Sequence, residues 1–326
     1  MSATRRALLA LPALATPALA APALAQPTWP DRPVRVIVSF PGGSTPDIAA
    51  RAASNHFTQV FGQPFVIDNR AGGGGTIGAD ATAKATDGHT LGVTIGGPGS
   101  IAKILNPQLP YDPVTDLVPV SLLARMPFVL AVNPGVPVND VAELLAYAKA
   151  NPGKLNYGSV GAGSTGHLLV AEMAARHGLD MTHIPFRSVP QSVTEIVAGR
   201  IQLMAAAAGS VLGQVRADQA RALGVSGEAR MTQLPDVPTL VEQGEPAGGV
   251  FAWIGLFAPP GMPADRLARI GAEAGRALSN PETGRVLDAA GFEPLGTPPA
   301  ALATLIRDEV AHWGPIVQRL GIRPES

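Results

Sequence analysis

The stretch VRVIVSFPGGSTPDIAAR, residues 34–51, predicts a β-strand, a glycine turn and an α-helix in immediate succession. The run from Val34 to Phe40 is rich in β-branched residues, and Pro41-Gly42-Gly43 ends it. Thr45 is placed to cap the following helix, with Pro46 in the first turn, where its missing N–H is tolerated. A strand followed directly by a helix is the first half of a parallel crossover, so this stretch predicts an α/β fold.

The same alternation of strands and helices continues along the chain. Predicted strands cover 65–67, 90–95, 128–132, 155–159, 181–185, 201–205 and 251–258, and predicted helices cover 77–85, 140–150, 165–177, 191–198, 264–278 and 299–320. They form two sets of βα units. A chain of 326 residues can supply two cores, since a domain typically holds about 100–200 residues. The pattern therefore predicts two α/β lobes.

The composition excludes several classes of protein. The chain has no Cys, which rules out disulfide scaffolds, Cys-ligated zinc, iron–sulfur clusters and thiol enzymes. Its 24 Lys and Arg against 25 Asp and Glu leave a net charge of −1, so no basic footprint for nucleic acid exists. The six histidines lack the spacing of a metal site. We expect no metal and no cofactor.

Residues 1–25 have the features of a secretory signal peptide. A basic pair, Arg5-Arg6, precedes an apolar stretch that ends in Ala23-Leu24-Ala25, and we predict cleavage before Gln26. The pair leaves both the Sec and the twin-arginine routes open. Without a Cys near the cleavage site, no lipid anchor can form there. We expect the mature protein to be free in an exported compartment.

Three glycine-rich loops share one design, in which a strand ends, small residues follow and a helix begins. They span residues 41–45, 71–76 and 158–165. Such a loop exposes backbone N–H groups at a helix N-terminus, where the partial positive charge favours an anion. Open α/β sheets bind ligands at the carboxyl ends of their strands. The three loops together therefore predict a carboxylate site that needs no arginine.

Two enzymatic interpretations compete for the third loop. Gly161-x-Gly163-x-x-Gly166 matches a dinucleotide fingerprint, but Asp180, at the expected distance, begins a predicted strand instead of ending one. The run 162–166 loosely resembles a nucleophile elbow, with Ser164 as nucleophile and with Asp236 and His312 in the right order for a hydrolase. However, Asp236 lies in a Pro-rich loop and His312 on a predicted amphipathic helix, and neither position points to catalysis. His167, behind this loop, is expected to be a helix-face or core residue.

Taken in order, the motifs resemble one family of proteins over nearly the whole mature chain. They are residues 40–43 with Pro46-Asp47 and Ala50-Arg51, then 68–78, 87–91, 109–113, 156–161 with Ser164 and His167-Leu168, 183–187 and 235–239. This order resembles the periplasmic solute-binding proteins of tripartite tricarboxylate transporters, the Bug family.

The resemblance implies a two-lobed "Venus flytrap" that grips a small carboxylate between its lobes and delivers it to membrane permease subunits. The first lobe would comprise residues 26–125 and 251–326, and the second residues 126–250. Known ligands of the family are di- and tricarboxylates, acidic amino acids and aromatic acids. The protein would be a periplasmic monomer without catalytic residues. A carboxylate sensor that serves a membrane receptor stays open as an alternative.

The family pattern also implies the residues of the site. First-lobe contacts would come from Gly43, Ser44, Thr45, Asp47, Gly74, Gly75 and Thr76; second-lobe contacts from Ser159, Gly161, Gly163, Ser164 and Thr165, with Phe186 and Arg187 near the mouth. The chain departs from the family at 199–206, where Gln202 and Ala206 replace two acids and Ala205 an aromatic residue. If that strand end lines the pocket, the pocket should be roomier and less suited to an amino group.

Overall fold

The computed structural model describes residues 29–186, 188–246, 249–289 and 291–323. The strands are β1 Val34–Val38, β2 Phe65–Asn69, β3 Thr90–Ile95, β4 Val118–Val132, β5 Leu155–Ser159, β6 Met181–Pro185, β7 Leu203–Ala207, β8 Arg221–Val225, β9 Phe251–Ala258 and β10 Glu293–Pro294. The helices are α1 Thr45–Phe61, α2 Thr76–Ala83, α3 Ala102–Leu105, α4 Val141–Ala150, α5 Thr165–His177, α6 Val189–Val197, α7 Ala208–Arg216, α8 Ala264–Leu278, α9 Pro281–Ala289 and α10 Pro299–Leu320. The predicted signal peptide, residues 1–25, lies outside this range.

The first lobe is a sheet covered by helices on both faces. Strands β2, β1 and β3 are parallel neighbours, and β9 and β4 continue the sheet in antiparallel pairs. Side chains alternate between the two faces of a strand. On β9, Ile254 and Leu256 therefore pack with α1, α8 and α9, whereas Trp253 and Phe257 pack with α2 and α10.

The second lobe repeats this layered plan. Strands β6, β5 and β7 are parallel, and the end of β4 pairs antiparallel with β7 and β8. Leu203 and Ala205 of β7 pack with α4 and α5, whereas Met204 and Ala206 pack with α6 and α7. The two sheets with their helices confirm the predicted two-lobed α/β fold.

Strand β4 belongs to both sheets. Residues 118–127 pair with β9 in the first lobe, and residues 128–132 pair with β7 in the second. The predicted strand covered only residues 128–132. Its earlier part was missed because Pro119, Arg125 and Pro127 interrupt the apolar pattern, and the pairing with β9 contains register shifts.

Helix α10 contacts both lobes. Leu302 and Ile306 pack under the first sheet, whereas Trp313 and Val317, farther along, pack against Leu168 of α5. Among the described residues, no helix is long and apolar enough to cross a membrane.

Candidate functional site

The loop after β1 is held in shape by a buried carboxylate. Asp47 is 2% exposed. Its Oδ2 accepts hydrogen bonds from the Gly43 backbone N–H at 2.9 Å and the Arg51 Nε at 2.8 Å. Its Oδ1 accepts one from the side-chain amide of Asn69 at 2.9 Å. Burial alone would raise the pKa of Asp47, but the bonds from Arg51, Gly43 and Asn69 outweigh it and lower the pKa. Asp47 and the Gly43 amide thus bond to each other.

The helix after this loop begins without a side-chain cap. Ser44, not Thr45 as predicted, occupies the N-cap position, and Thr45 is the first helical residue. The Ser44 backbone has the extended geometry of a cap, yet its hydroxyl does not bond to the helix. The buried Ser44 Oγ has no hydrogen-bond partner among the described residues. The first-turn amides of α1 therefore have no side-chain acceptor, and the partial positive charge of this helix end favours an anion.

The second glycine loop takes a backbone that side chains would rarely allow. The four residues from Gly72 to Gly75 all have positive φ, between 57° and 129°. The Thr76 hydroxyl closes the turn by donating to the Gly73 carbonyl at 2.8 Å. Gly74 is exposed, whereas a Cβ on Gly75 would lie 2.8 Å from the Phe40 ring. Because β1 and β2 are parallel neighbours, their two loops lie side by side.

A third strand end, which was predicted as a strand but not as part of the site, borders the same loops. After β3 the chain forms one turn of π-helix over Gly97–Ile101. Within it, Pro98 lies 3.0 Å from the Cβ position of Gly75, and Ser100 donates to Glu309 of α10 at 2.6 Å. Burial raises the pKa of Glu309 to about 7, opposed by the Ser100 hydrogen bond and the Trp253 indole. The run Gly96-Gly97-Pro98-Gly99 at a strand end was the signal available in the sequence.

The loop after β5 is closed by its own hydroxyls. The Ser159 Oγ lies 3.0 Å from the Gly161 carbonyl oxygen and 3.1 Å from its amide nitrogen, and the Ser164 Oγ donates to the same carbonyl at 2.8 Å. Ser164 is the N-cap residue of α5, but its hydroxyl does not cap the helix, which begins at Thr165. The N-terminus of α5 thus matches that of α1. By contrast, Asp140 caps α4 by accepting from the Glu143 amide.

Three aromatic rings cluster beneath this loop. His167 and His183 have ring centroids 3.9 Å apart, and Tyr157 contacts both rings. The His167 Nδ1 accepts a hydrogen bond from the Gly163 amide at 2.9 Å, and the His183 Nε2 lies 2.7 Å from the Ser159 Oγ. His167 is 6% exposed, as expected of a core residue, and burial followed by the nearby His183 lowers its pKa to about 4.

Of the residues expected near the mouth, Phe186 packs into the second lobe. Its amide donates to the Ser159 carbonyl at 2.8 Å, and its ring lies 3.1 Å from the Cβ position of Gly158. Arg187 lies outside the described residues. Gln202 precedes β7 and binds the Asn156 amide at 2.9 Å, so it lies at the amino end of that strand, away from the loops. Ala206 is buried in the core.

One segment links the loops of the two lobes. Residues 97–105 begin beside Gly75 and end at Leu105, whose side chain lies 2.3 Å from the Cβ position of Gly163. Gly163 has φ +78°, and only a residue without a side chain fits against Leu105. The loop after β5, which we call the second-lobe loop, is thereby packed against the segment that borders the loops after β1 and β2.

Neither enzymatic arrangement is assembled. His312 lies 3.8 Å from Glu172, which is two turns along α5 from Ser164, or about 12 Å. The Ser164 hydroxyl bonds to Gly161 instead. Asp180 precedes β6, so it stands at the wrong end of the strand for a ribose. Within the described parts of the chain, no group of three or more His, Asp or Glu could hold a metal ion.

The chain is similar to bacterial proteins over nearly its whole length. It is 38% identical to the UPF0065 protein in the tcbD-tcbE intergenic region of Pseudomonas sp. (strain P51), over 96% of this chain and 94% of that protein. It is 33% identical to BugT of Bordetella pertussis, over 91% of each chain.

Solved structures share both the fold and the sequence. Rpa4515 of R. palustris, solved with adipate, is 31% identical with a TM-score of 0.81, over 91% of this chain and 100% of that one. MatC of Rhodopseudomonas palustris, with bound malate, is 32% identical with a TM-score of 0.77, over 89% and 100%. The sequence pattern of the tripartite tricarboxylate transporter family receptor, TctC, matches residues 49–322. The chain therefore belongs to this family of periplasmic solute-binding proteins, the Bug proteins, as its motifs predicted.

Proposed function

We propose that the protein captures a small carboxylate between its lobes and delivers it to the permease subunits of a tripartite tricarboxylate-type transporter. One observation carries the proposal. Two helices from different lobes, α1 and α5, begin with serines whose hydroxyls leave the first-turn amides uncapped. A carboxylate can supply the missing acceptor to such amides, and the helix dipole favours its charge. Adipate and malate, found with the two related structures, belong to this ligand class.

The proposed contacts divide into direct and supporting ones. Ser44, Thr45, Gly74, Gly75, Thr76, Ser164 and Thr165 would face the ligand, whereas Asp47, Gly43, Ser159, Gly161 and Gly163 shape the loops through the bonds described above. The family resemblance is the basis for proposing Phe186 and Arg187 as further contacts. The lobes would divide near residues 125 and 251, which the change of partner along β4 supports.

We further propose export by the predicted signal peptide, with cleavage near Ala25, and action as a monomer without catalysis. The separation of Ser164 from His312 speaks against the hydrolase alternative. A test with p-nitrophenyl esters distinguishes the two, because turnover that disappears in Ser164→Ala would contradict a pure binding protein.

The main test is a thermal-shift screen followed by calorimetry with malate, adipate, citrate, glutamate and benzoate. A bound ligand stabilises the native state by RT ln(1 + [L]/Kd). An acid that the protein binds should therefore raise Tm, and the rise should increase with the concentration of the acid. No shift with any of the five acids would overturn the proposal.

Matched serine and cap variants test the site. Ser44→Ala should weaken binding about tenfold through loss of one hydrogen bond to a charged group, yet change stability little, because Ser44 does not cap α1. Asp140→Ala should do the opposite, costing about 1 kcal/mol of stability through the lost cap of α4 while leaving affinity unchanged.

A further inference from the structure

Two histidines hold the two ends of the second-lobe loop. His183 contacts Ser159 at its start, and His167 accepts from the Gly163 amide near its end. The two rings stack, with an interplanar angle of 21°. His167 lies on α5, four residues beyond Gly163, and His183 lies on the next strand, β6.

Gly163 is fixed from two sides. The Leu105 side chain occupies the space where a Cβ of Gly163 would lie, and His167 accepts a hydrogen bond from the Gly163 amide. The Ser164 hydroxyl and the first turn of α5 follow directly, so their direction depends on the orientation of the Gly163 peptide. A loop rich in glycine has many alternative conformations, and a fixed bond at this point removes most of them.

The hydrogen bond requires one protonation state of His167. An imidazole nitrogen accepts only when it carries no proton, so the ring must be neutral with its proton on Nε2. Burial favours this neutral form. Stacking on His183, with Tyr157 beside both rings, limits rotation of the His167 ring.

We propose that His167 is a positioning residue of the carboxylate site: its unprotonated Nδ1 holds the Gly163 amide and so keeps Ser164 and the first-turn amides of α5 directed at the ligand. This inference rests on the proposed function, and it assigns the affinity of the second lobe to a residue that does not touch the ligand.

Three variants separate positioning from core packing. His167→Leu fills the core but offers no acceptor, whereas His167→Asn places its Oδ1 near the position of Nδ1 and restores one. His177→Leu is the matched control, because His177 lies at the far end of the same helix and pairs with Glu245. Far-ultraviolet circular dichroism and thermal unfolding verify that each variant is folded.

Calorimetry with malate, adipate, citrate, glutamate and benzoate gives the decisive comparison. For the acid that binds the wild type, we expect His167→Leu to lose at least about tenfold in affinity, about 1.4 kcal/mol, and His167→Asn and His177→Leu to stay within about threefold. Equal binding by wild type and His167→Leu overturns the inference and leaves the proposed function intact. If the wild type binds none of the five acids, both the inference and the proposed function are contradicted.

A spectroscopic measurement tests the bond without any ligand. Long-range ¹H–¹⁵N correlation spectra of the histidine rings should show His167 with an unprotonated Nδ1 at neutral pH. A proton on Nδ1 would overturn the inference. If His167→Leu misfolds, the binding of His167→Asn together with this spectrum decides: a tenfold loss in the Asn variant contradicts the proposed role.

Discussion

The Phe128 amide donates to the Ser226 hydroxyl at 2.8 Å, at the point where β4 leaves the first sheet for the second. Ser226 is completely buried, and its hydroxyl in turn donates to the Val250 carbonyl, just before β9 returns to the first lobe. One side chain thus ties together two of the chain crossings between the lobes.

Ser226→Ala should therefore destabilise the protein by about 1–3 kcal/mol, because it leaves a buried amide and a partly buried carbonyl without their partner. Urea denaturation measures the loss. Ser279→Ala at the exposed end of α8 is the control and should change stability by less than about 0.5 kcal/mol. A Ser226 variant as stable as that control would show that the crossing does not depend on this hydroxyl.

Asp47 should make the stability of the first lobe dependent on pH. Its pKa is lowered in the folded state, so its contribution is present above the ordinary pKa of 3.8 and is lost as pH falls through the lower folded value. Asp47→Asn should cost about 1–3 kcal/mol at pH 7, and the difference from wild type should vanish in strong acid. Denaturation curves from pH 7 down to pH 2 measure this.

Asp265→Asn, an exposed acid in the first turn of α8, serves as the control for that series and should cost less than about 1 kcal/mol. A cost for Asp47→Asn that persists unchanged at pH 2 would mean that the Asp47 carboxylate is not the group responsible.

Glu309 should have the opposite effect on the pH dependence of stability. Its pKa is raised to about 7, so the folded state is penalised as pH rises from the ordinary value of 4.5 towards 7. Glu309→Gln keeps an acceptor for Ser100 and removes the charge. The variant should be more stable than wild type by about 1–3 kcal/mol at pH 8, and equal to it below pH 4.5.

Thermal unfolding at pH 4 and pH 8 measures this difference. The neighbouring Asp308 is exposed, and Asp308→Asn should show no such dependence. A Glu309 variant less stable than wild type at pH 8 would contradict the prediction.

Gly161 and Gly75 should respond differently to a side chain. A Cβ at Gly161 meets no atom within 4 Å, so Gly161→Val should weaken carboxylate binding, with about 1–3 kcal/mol of strain from its positive φ. A Cβ at Gly75 would collide with the Phe40 ring, so Gly75→Val should mainly lower stability. Calorimetry and Tm separate the two effects.

Gly178→Ala is the control, because Gly178 also has positive φ and open space but lies at the far end of α5. The Gly178→Ala variant should have a similar backbone strain and an unchanged affinity for the carboxylate. Unchanged affinity in Gly161→Val as well would remove this loop from the site.

Much of this protein could be predicted from the sequence, because its signals are local. The predicted bounds are correct for strands β3, β5, β6 and β9 and for helices α5, α8 and α10. The spacing of their apolar residues and the Gly or Pro residues at their ends define these elements within a few residues. The motif order also indicated the family, and the glycine loops marked three strand ends.

Only the tertiary structure decided which backbone groups of those loops remain free. The Gly43 amide is taken by Asp47 and the Gly163 amide by His167, whereas Ser44 and Ser164 leave their helices uncapped. The long strand β4 and the link between Ser100 and Glu309 depend on partners far along the chain. A local pattern specifies that an amide can be offered to an anion, but whether it is offered depends on where the folded chain places a competing acceptor: Asp47 and His167 are only four residues from their glycines, yet Asn69 and His183, farther along the chain, contact them there.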